Sequence, residues 1–241
     1  MTTENFPTAE IVEMNGTILK EPIIFAGFVG AGLVGPLSIG HIIEELHMKK
    51  VAYIRSRHMP PSTVFTSGML RYPFRIYASD DGKSCCIICE VTLKMEGIYD
   101  IIGSILEWVK KINARELVIL DGVVGEHDGK TYYAAEQDRN KEMEKNDISI
   151  ITQGFITGVP GGILGECLMY KVQGSVLLAK AEKKKPDPVA AALLLESVNR
   201  LYGINVDAKK MLKNKERIGS DFSDMSKKYT EHSEKYSGMY M

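Results

Sequence analysis

Hydrophobic and polar positions along the chain change period several times, and each change marks an element. Residues 23–46 read IIFAGFVGAGLVGPLSIGHIIEEL. The short apolar run Ile23, Ile24 and Phe25 enters a glycine cluster, after which Leu37, Ile39, Ile42, Ile43 and Leu46 recur at near-helical spacing. Pro36 falls in what would be the first helical turn, where a missing N–H costs nothing. The stretch predicts strand, tight glycine turn and helix, the opening unit of an α/β sheet.

The remainder follows the same grammar. Residues 10–21 predict a hairpin about Asn15-Gly16, which would edge or extend the main sheet. Residues 51–54 predict a strand leading into a polar surface loop with Arg55, Ser56, Arg57, His58 and Met59-Pro60-Pro61. Residues 68–78 and 84–93 predict an antiparallel pair joined at residues 79–83. Ile98, Ile101, Ile102, Ile105, Trp108, Val109 and Ile112 form a helical stripe. Residues 117–120 predict a strand ending at the turn Asp121-Gly122, and residues 125–147 read as a polar, mobile excursion. Residues 155–165 predict a second strand, glycine turn and helix, and residues 176–179 another strand. Asp187 and Pro188 then fit the cap and first position of a helix that Gly203 stops. The expected architecture is a mixed sheet sandwiched by helices on both faces.

From Asp207 the pattern changes again. Met211, Ile218, Phe222, Met225, Tyr229 and Tyr236 fall at heptad-like spacing, with His232 filling the one gap and Gly219 weakening the run. Such a stripe predicts a helix that packs on its own domain, on a copy of it or on a partner. The expected organisation is an α/β core over 1–206, a helical extension over 207–236 and a tail over 237–241.

Composition narrows the classes. With 241 residues, 44% hydrophobic and 25% charged, the chain reads as one soluble domain. A net charge of −1 offers no global attraction for nucleic acid or an anionic membrane. The apolar runs are too short for a membrane span and the first residues have no signal-peptide layout, so a cytoplasmic location is expected. Cys86 and Cys89 form C-x-x-C, but i and i+3 on a strand point to opposite faces, and no second Cys or His pair stands at zinc spacing. Glu126-His127-Asp128 is consecutive, a poor metal-ligand pattern, so neither metal nor cofactor is expected.

One enzyme-like motif needs testing. Gly30-Ala31-Gly32-Leu33-Val34-Gly35 satisfies G-x-G-x-x-G between a strand and a helix, with Gly27 just before it. The second strand ends on Arg55 and Arg57 rather than on the acid that would bind ribose, although an arginine there suits a 2′-phosphate. A nucleotide- or phosphate-binding enzyme or sensor using the 27–35 turn is the alternative reading. The sequence contains no G-x-S-x-G, P-loop or H-E-x-x-H, and no catalytic residue stands out.

Three stretches together carry a resemblance. GFVGAGLVG, GVPGGILGE and above all KPDPVAAALLLESVNRLYGINVD resemble the proteasome assembly chaperone 2 family in its archaeal branch, over roughly residues 23–207. The resemblance implies a phosphorylase/hydrolase-like α/β sandwich that is not an enzyme, homo-oligomerisation, and binding to the α subunits of the 20S proteasome. Met239, Tyr240 and Met241 at the C-terminus are similar to the HbYX motif of proteasome activators and assembly chaperones. The chemistry suits docking: a free carboxylate can meet a lysine, the tyrosine has an apolar body with a polar tip, and methionine adapts to an apolar wall. A purely structural oligomer whose heptad helix binds another protein is a third reading.

Overall fold

The structure, a computed structural model, describes residues 8–14, 18–66, 68–144, 148–183 and 185–213. Its centre is formed by β2 (Ile23–Gly27), β7 (Ser84–Cys89), β8 (Glu116–Val124) and β11 (Gly174–Ala181). These four run parallel, in the order β7-β2-β8-β11. On one side β6 (Phe74–Ala78), β3 (Lys49–Ser56) and β1 (Ala9–Glu13) add antiparallel strands out to the edge. On the other, β9 (Thr131–Ala135) lies antiparallel to β11, and β10 (Ser149–Ile150) closes that edge. A separate two-stranded hairpin, β4 (Val64–Thr66) and β5 (Met69–Arg71), follows β3.

Alternation along the strands divides the core into two layers. Phe25, Cys86, Val118, Leu120 and Leu177 face α1 (Val34–Glu45), α5 (Pro188–Tyr202) and α6 (Ala208–Lys213). Ile24, Cys85, Ile87, Leu117, Ile119 and Val176 face α2 (Ile98–Lys111) and α4 (Gly158–Tyr170). Successive strand residues point to opposite faces, so near-continuous apolar runs such as ELVIL and SVLL serve both layers. This is the mixed, helix-covered sheet expected from the pattern.

Several local expectations differ from the structure. The N-terminal hairpin is replaced by an edge strand: β1 pairs with β3 from Ala9↔Ser56 to Glu13↔Ala52, and residues 18–20 form no strand. The strand expected over 68–78 is broken at Tyr72-Pro73, where a residue without an N–H cannot continue the ladder. Residues 155–157 form no strand, and Phe155 is 99% exposed; the short strand of that region is β10, earlier in the chain. The polar excursion over 125–147 contains a full sheet strand, β9, anchored by the fully buried Tyr133, and the helix α3 (Gln137–Glu144). One buried aromatic within a polar stretch is a weak periodic signal, which is why composition reads it as loop.

Helix α5 is built as its residues dictate. Asp187 caps it, accepting from Ala190 N–H at 3.1 Å, Pro188 opens it, and Gly203 ends it with φ 67°. Its inner face buries Leu194, Leu195 and Val198. Among the described residues, no helix is long and apolar enough to cross a membrane.

Candidate functional site

The strands β3, β7, β2, β8 and β11 all end at one edge of the sheet, where crevices in open α/β folds hold ligands. The glycine turn after β2 lies there: a short 3-10 turn at Ala31–Leu33 leads directly into α1. Its glycines answer to packing. A Cβ on Gly27 would stand 2.5 Å from the Gly35 carbonyl carbon, and one on Gly35 would stand 2.7 Å from the Leu120 oxygen. Helix α1 therefore crosses β2 and β8 at backbone contact, which only residues without Cβ permit. Gly32 takes φ 62°, and its carbonyl accepts from Asp187 N–H at 2.8 Å. Gly30 lies against the carboxyl group of Asp121.

Two carboxylates therefore flank the turn. Asp121, at the end of the described core of β8, accepts from Gly122 N–H at 2.8 Å, but burial pushes its pKa up to about 6. Asp187 is 4% exposed. Burial alone would raise its pKa, yet hydrogen bonds from Glu182 N–H (2.9 Å), Ala190 N–H and His127 Nε2 (2.6 Å) outweigh it and hold the group below its ordinary value. Negative charge beside the turn opposes a phosphate. The arginines that would read a 2′-phosphate stand elsewhere: β3 is separated from β2 by β6 and β7, and Arg55 pairs with Glu10 on the edge strand. In a dinucleotide fold the first two strands are neighbours.

The loop between β8 and β9 closes over this edge. Its Glu126-His127-Asp128 is split between two tasks: His127 bonds Asp187, while Asp128 pairs with Lys180 at 2.8 Å and accepts from the Tyr132 hydroxyl. The hydrogen bonds from Lys180 and Tyr132 hold Asp128 well below the usual carboxylate range. Among the described residues no group of three or more His, Cys, Asp or Glu is placed to hold a metal. Cys85, Cys86, Cys89 and Cys167 are free and buried, and burial pushes Cys85, Cys89 and Cys167 up to about 12, far from thiolate chemistry.

Sequence reasoning did not find two of these constellations. The Asp187–His127 pair joins positions 60 apart. At the opposite end of β8, Glu116 is 3% exposed and accepts from Ser175 Oγ (2.6 Å), Arg139 (2.7 Å) and Tyr202 OH (3.0 Å). It ties β8, β11, α3 and α5 together, a buried charge tolerated because it is fully bonded. Its only sequence signal is an acid opening an otherwise apolar strand.

Of the extension, the structure describes only the beginning. Asp207 accepts from Lys209 N–H at 3.0 Å, α6 is held to α1 by Lys210–Glu45 at 3.0 Å, and His41 Nε2 meets the Asp207 carbonyl at 2.9 Å. Met211, on the stripe expected to pack on its own domain, on a copy of it or on a partner, is 2% exposed in its own subunit's core. Its side chain therefore serves intradomain docking, because α6 lies flush on the layer formed by α1 and α5. Ile218, Phe222, Met225, Tyr229, Met239, Tyr240 and Met241 lie outside the described residues.

Fold and crevice together define an α/β sandwich whose strand-end crevice is closed by its own side chains. The chain belongs to the PAC2 family, whose model matches residues 24–225. It is similar to Pyrococcus furiosus PbaA, an archaeal homolog of proteasome-assembly chaperone, at 27% identity and TM-score 0.83 over 93% of this chain and 99% of that one. It is also similar to a protein of unknown function from Thermoplasma acidophilum, at 30% identity and TM-score 0.80, over 89% of this chain and 91% of that one. A third relative, the uncharacterized protein MJ0106 of Methanocaldococcus jannaschii, is 26% identical over 220 residues, 91% of this chain and 92% of its own length.

Proposed function

We propose that this protein is a proteasome assembly chaperone or activator-like protein that binds 20S proteasome α subunits through its C-terminal tail. The observation that carries the reading is the near full-length likeness to PbaA, 27% identical at TM-score 0.83. The tail residues Met239, Tyr240 and Met241 supply the contact chemistry: an apolar anchor, an aromatic body with a polar tip, and a terminal charge. The protein works in the cytoplasm as a homo-oligomer, without cofactor or catalysis. Each tail alone buries little, and several tails on one multimer bind together with greatly raised avidity where linker reach allows. The length of chain from Asp207 to Tyr236 sets that reach.

The test is capture of purified archaeal 20S core particle or α ring by the full chain. Two variants, Tyr240→Ala and one extra residue after Met241, should lose capture while keeping the wild-type melting temperature. Capture retained by both variants overturns the tail mechanism. A wild-type chain that captures neither particle nor ring overturns the proteasome assignment itself.

A further inference from the structure

Beside the β10 edge of the sheet lies a cavity of about 380 Å³ that involves neither the strand-end crevice nor the tail. Helix α5 forms one wall. Leu193, Glu196, Ser197 and Arg200 share a face there, because offsets of three, four and seven residues bring helix positions into line. The other wall is the approach to β9, at Lys130 and Thr131, and the start of β10, at Ser149. The volume falls within the range of small-molecule sites, about 300–1,000 Å³. The lining does not resemble an apolar ligand pocket. Among the described residues that form it, Leu193 is the one aliphatic side chain and no aromatic ring is present. A nucleobase finds nothing to stack on, and an acyl chain finds little to bury against.

Charge and hydrogen-bonding capacity are both left over in this cavity. Lys130 and Arg200 bring two positive charges, and neither forms an ion pair with a described residue. Asp128, the acid nearest Lys130 in sequence, is committed to Lys180 at 2.8 Å and to the Lys130 backbone N–H at 3.1 Å. Thr131 and Ser197 are 8% and 3% exposed, and their hydroxyls bond each other at 2.8 Å. That bond uses one hydroxyl hydrogen. The other has no acceptor among the described residues, although buried hydroxyls are ordinarily satisfied. Two free cations and a buried, unused donor converge on one small space, which calls for an anionic acceptor.

We propose that this cavity binds a small phosphorylated polyol or sugar. The Arg200 guanidinium and the Lys130 ammonium meet the phosphate dianion, and the spare hydroxyl hydrogen of the Thr131–Ser197 pair donates to one of its oxygens. Glu196 lies one turn before Arg200 and works against a bare phosphate. Its carboxylate is an acceptor, and it takes hydrogen bonds from the hydroxyl groups of the same ligand. Two cations with one carboxylate therefore select a molecule that carries both an anionic end and hydroxyls. The proposal is independent of the proteasome reading, since it concerns residues 129–200 and not the tail.

Isothermal titration calorimetry of the full chain tests it, with glycerol 3-phosphate, glucose 6-phosphate, inorganic phosphate, glucose and gluconate as probes. At least one of the two phosphorylated polyols should bind about tenfold more tightly than each of the other three. Lys130→Gln and Arg200→Gln, both at exposed positions, should each weaken that binding about tenfold at an unchanged melting temperature. Lys209→Gln makes the same charge change on α6 and should leave the affinity as it is. Glu196→Ala should act in opposite directions on two probes, weakening the phosphorylated polyol and tightening inorganic phosphate. No binding of either phosphorylated polyol at millimolar concentration overturns the proposal. So does an affinity that Lys130→Gln and Arg200→Gln leave unchanged, or that Lys209→Gln lowers equally, since the attraction would then be diffuse. Gluconate binding as tightly as the phosphorylated probes overturns the phosphate assignment.

Discussion

Replacing Asp187 by alanine removes three acceptor interactions at once, and the cost follows from the geometry. The cap to Ala190 N–H contributes about 1 kcal/mol. Glu182 N–H, which donates to Asp187 Oδ2 at 2.9 Å, loses its acceptor, a further loss of about 1 kcal/mol at a site that water reaches. The 2.6 Å bond to His127 adds about another 1 kcal/mol, discounted because the histidine side chain is 36% exposed. The expected destabilisation is about 3 kcal/mol, or roughly 6–12 °C in melting temperature for a chain of this length. Urea unfolding followed by far-UV circular dichroism at pH 7 measures it. Asp187→Asn keeps an acceptor for the helix N-terminus and should recover about 1 kcal/mol of the loss. The pH dependence carries a sign as well. Asp187 titrates below its ordinary 3.8 in the folded state, so its stabilisation is present above about pH 4 and is lost as pH falls through the folded value. The gap between wild type and Asp187→Ala should therefore narrow below pH 4. A loss under about 0.5 kcal/mol at pH 7, or a gap independent of pH, refutes the assignment of this carboxylate as the pin of the crevice.

Two further substitutions probe the same edge of the sheet. Asp121 has the opposite linkage: its folded pKa is raised to about 6, so folding loses stability as pH rises from about 4 to 6. Asp121→Asn, which keeps an acceptor for Gly122 N–H, should gain nothing near pH 4 and about 3 kcal/mol above pH 6 in urea titrations; a gain equal at both pH values would reject the buried-charge account. Gly35→Ala forces a Cβ to 2.7 Å from the Leu120 oxygen and 3.0 Å from Phe28 N, and should cost about 2–3 kcal/mol. Gly40→Ala, on the same helix with nothing within 4 Å, should be neutral or up to about 1 kcal/mol stabilising. Equal thermal shifts for the two alanine variants would show that the helix crossing is not at backbone contact.

What the amino-acid pattern determined by itself were the elements whose signals are local. The cap at Asp187, the stop at Gly203 and the stripe from Ile98 to Ile112 are each read within one or two turns, where propensity and periodicity act. Alternation of strand and helix was enough for a sandwiched mixed sheet. Tertiary structure decided what depends on distant partners. Only the strand order places β6 and β7 between β2 and β3, which removes Arg55 and Arg57 from the glycine turn and leaves its G-x-G-x-x-G as a packing device. The same holds for β1, whose partner is β3 rather than the adjacent residues 18–20, and for His127, which meets Asp187 across 60 positions. A local pattern records what a residue needs from its neighbours in the chain. Pairings between strands, buried charges and crossing helices are settled by which surfaces exclude water together, and that is a property of the whole sheet.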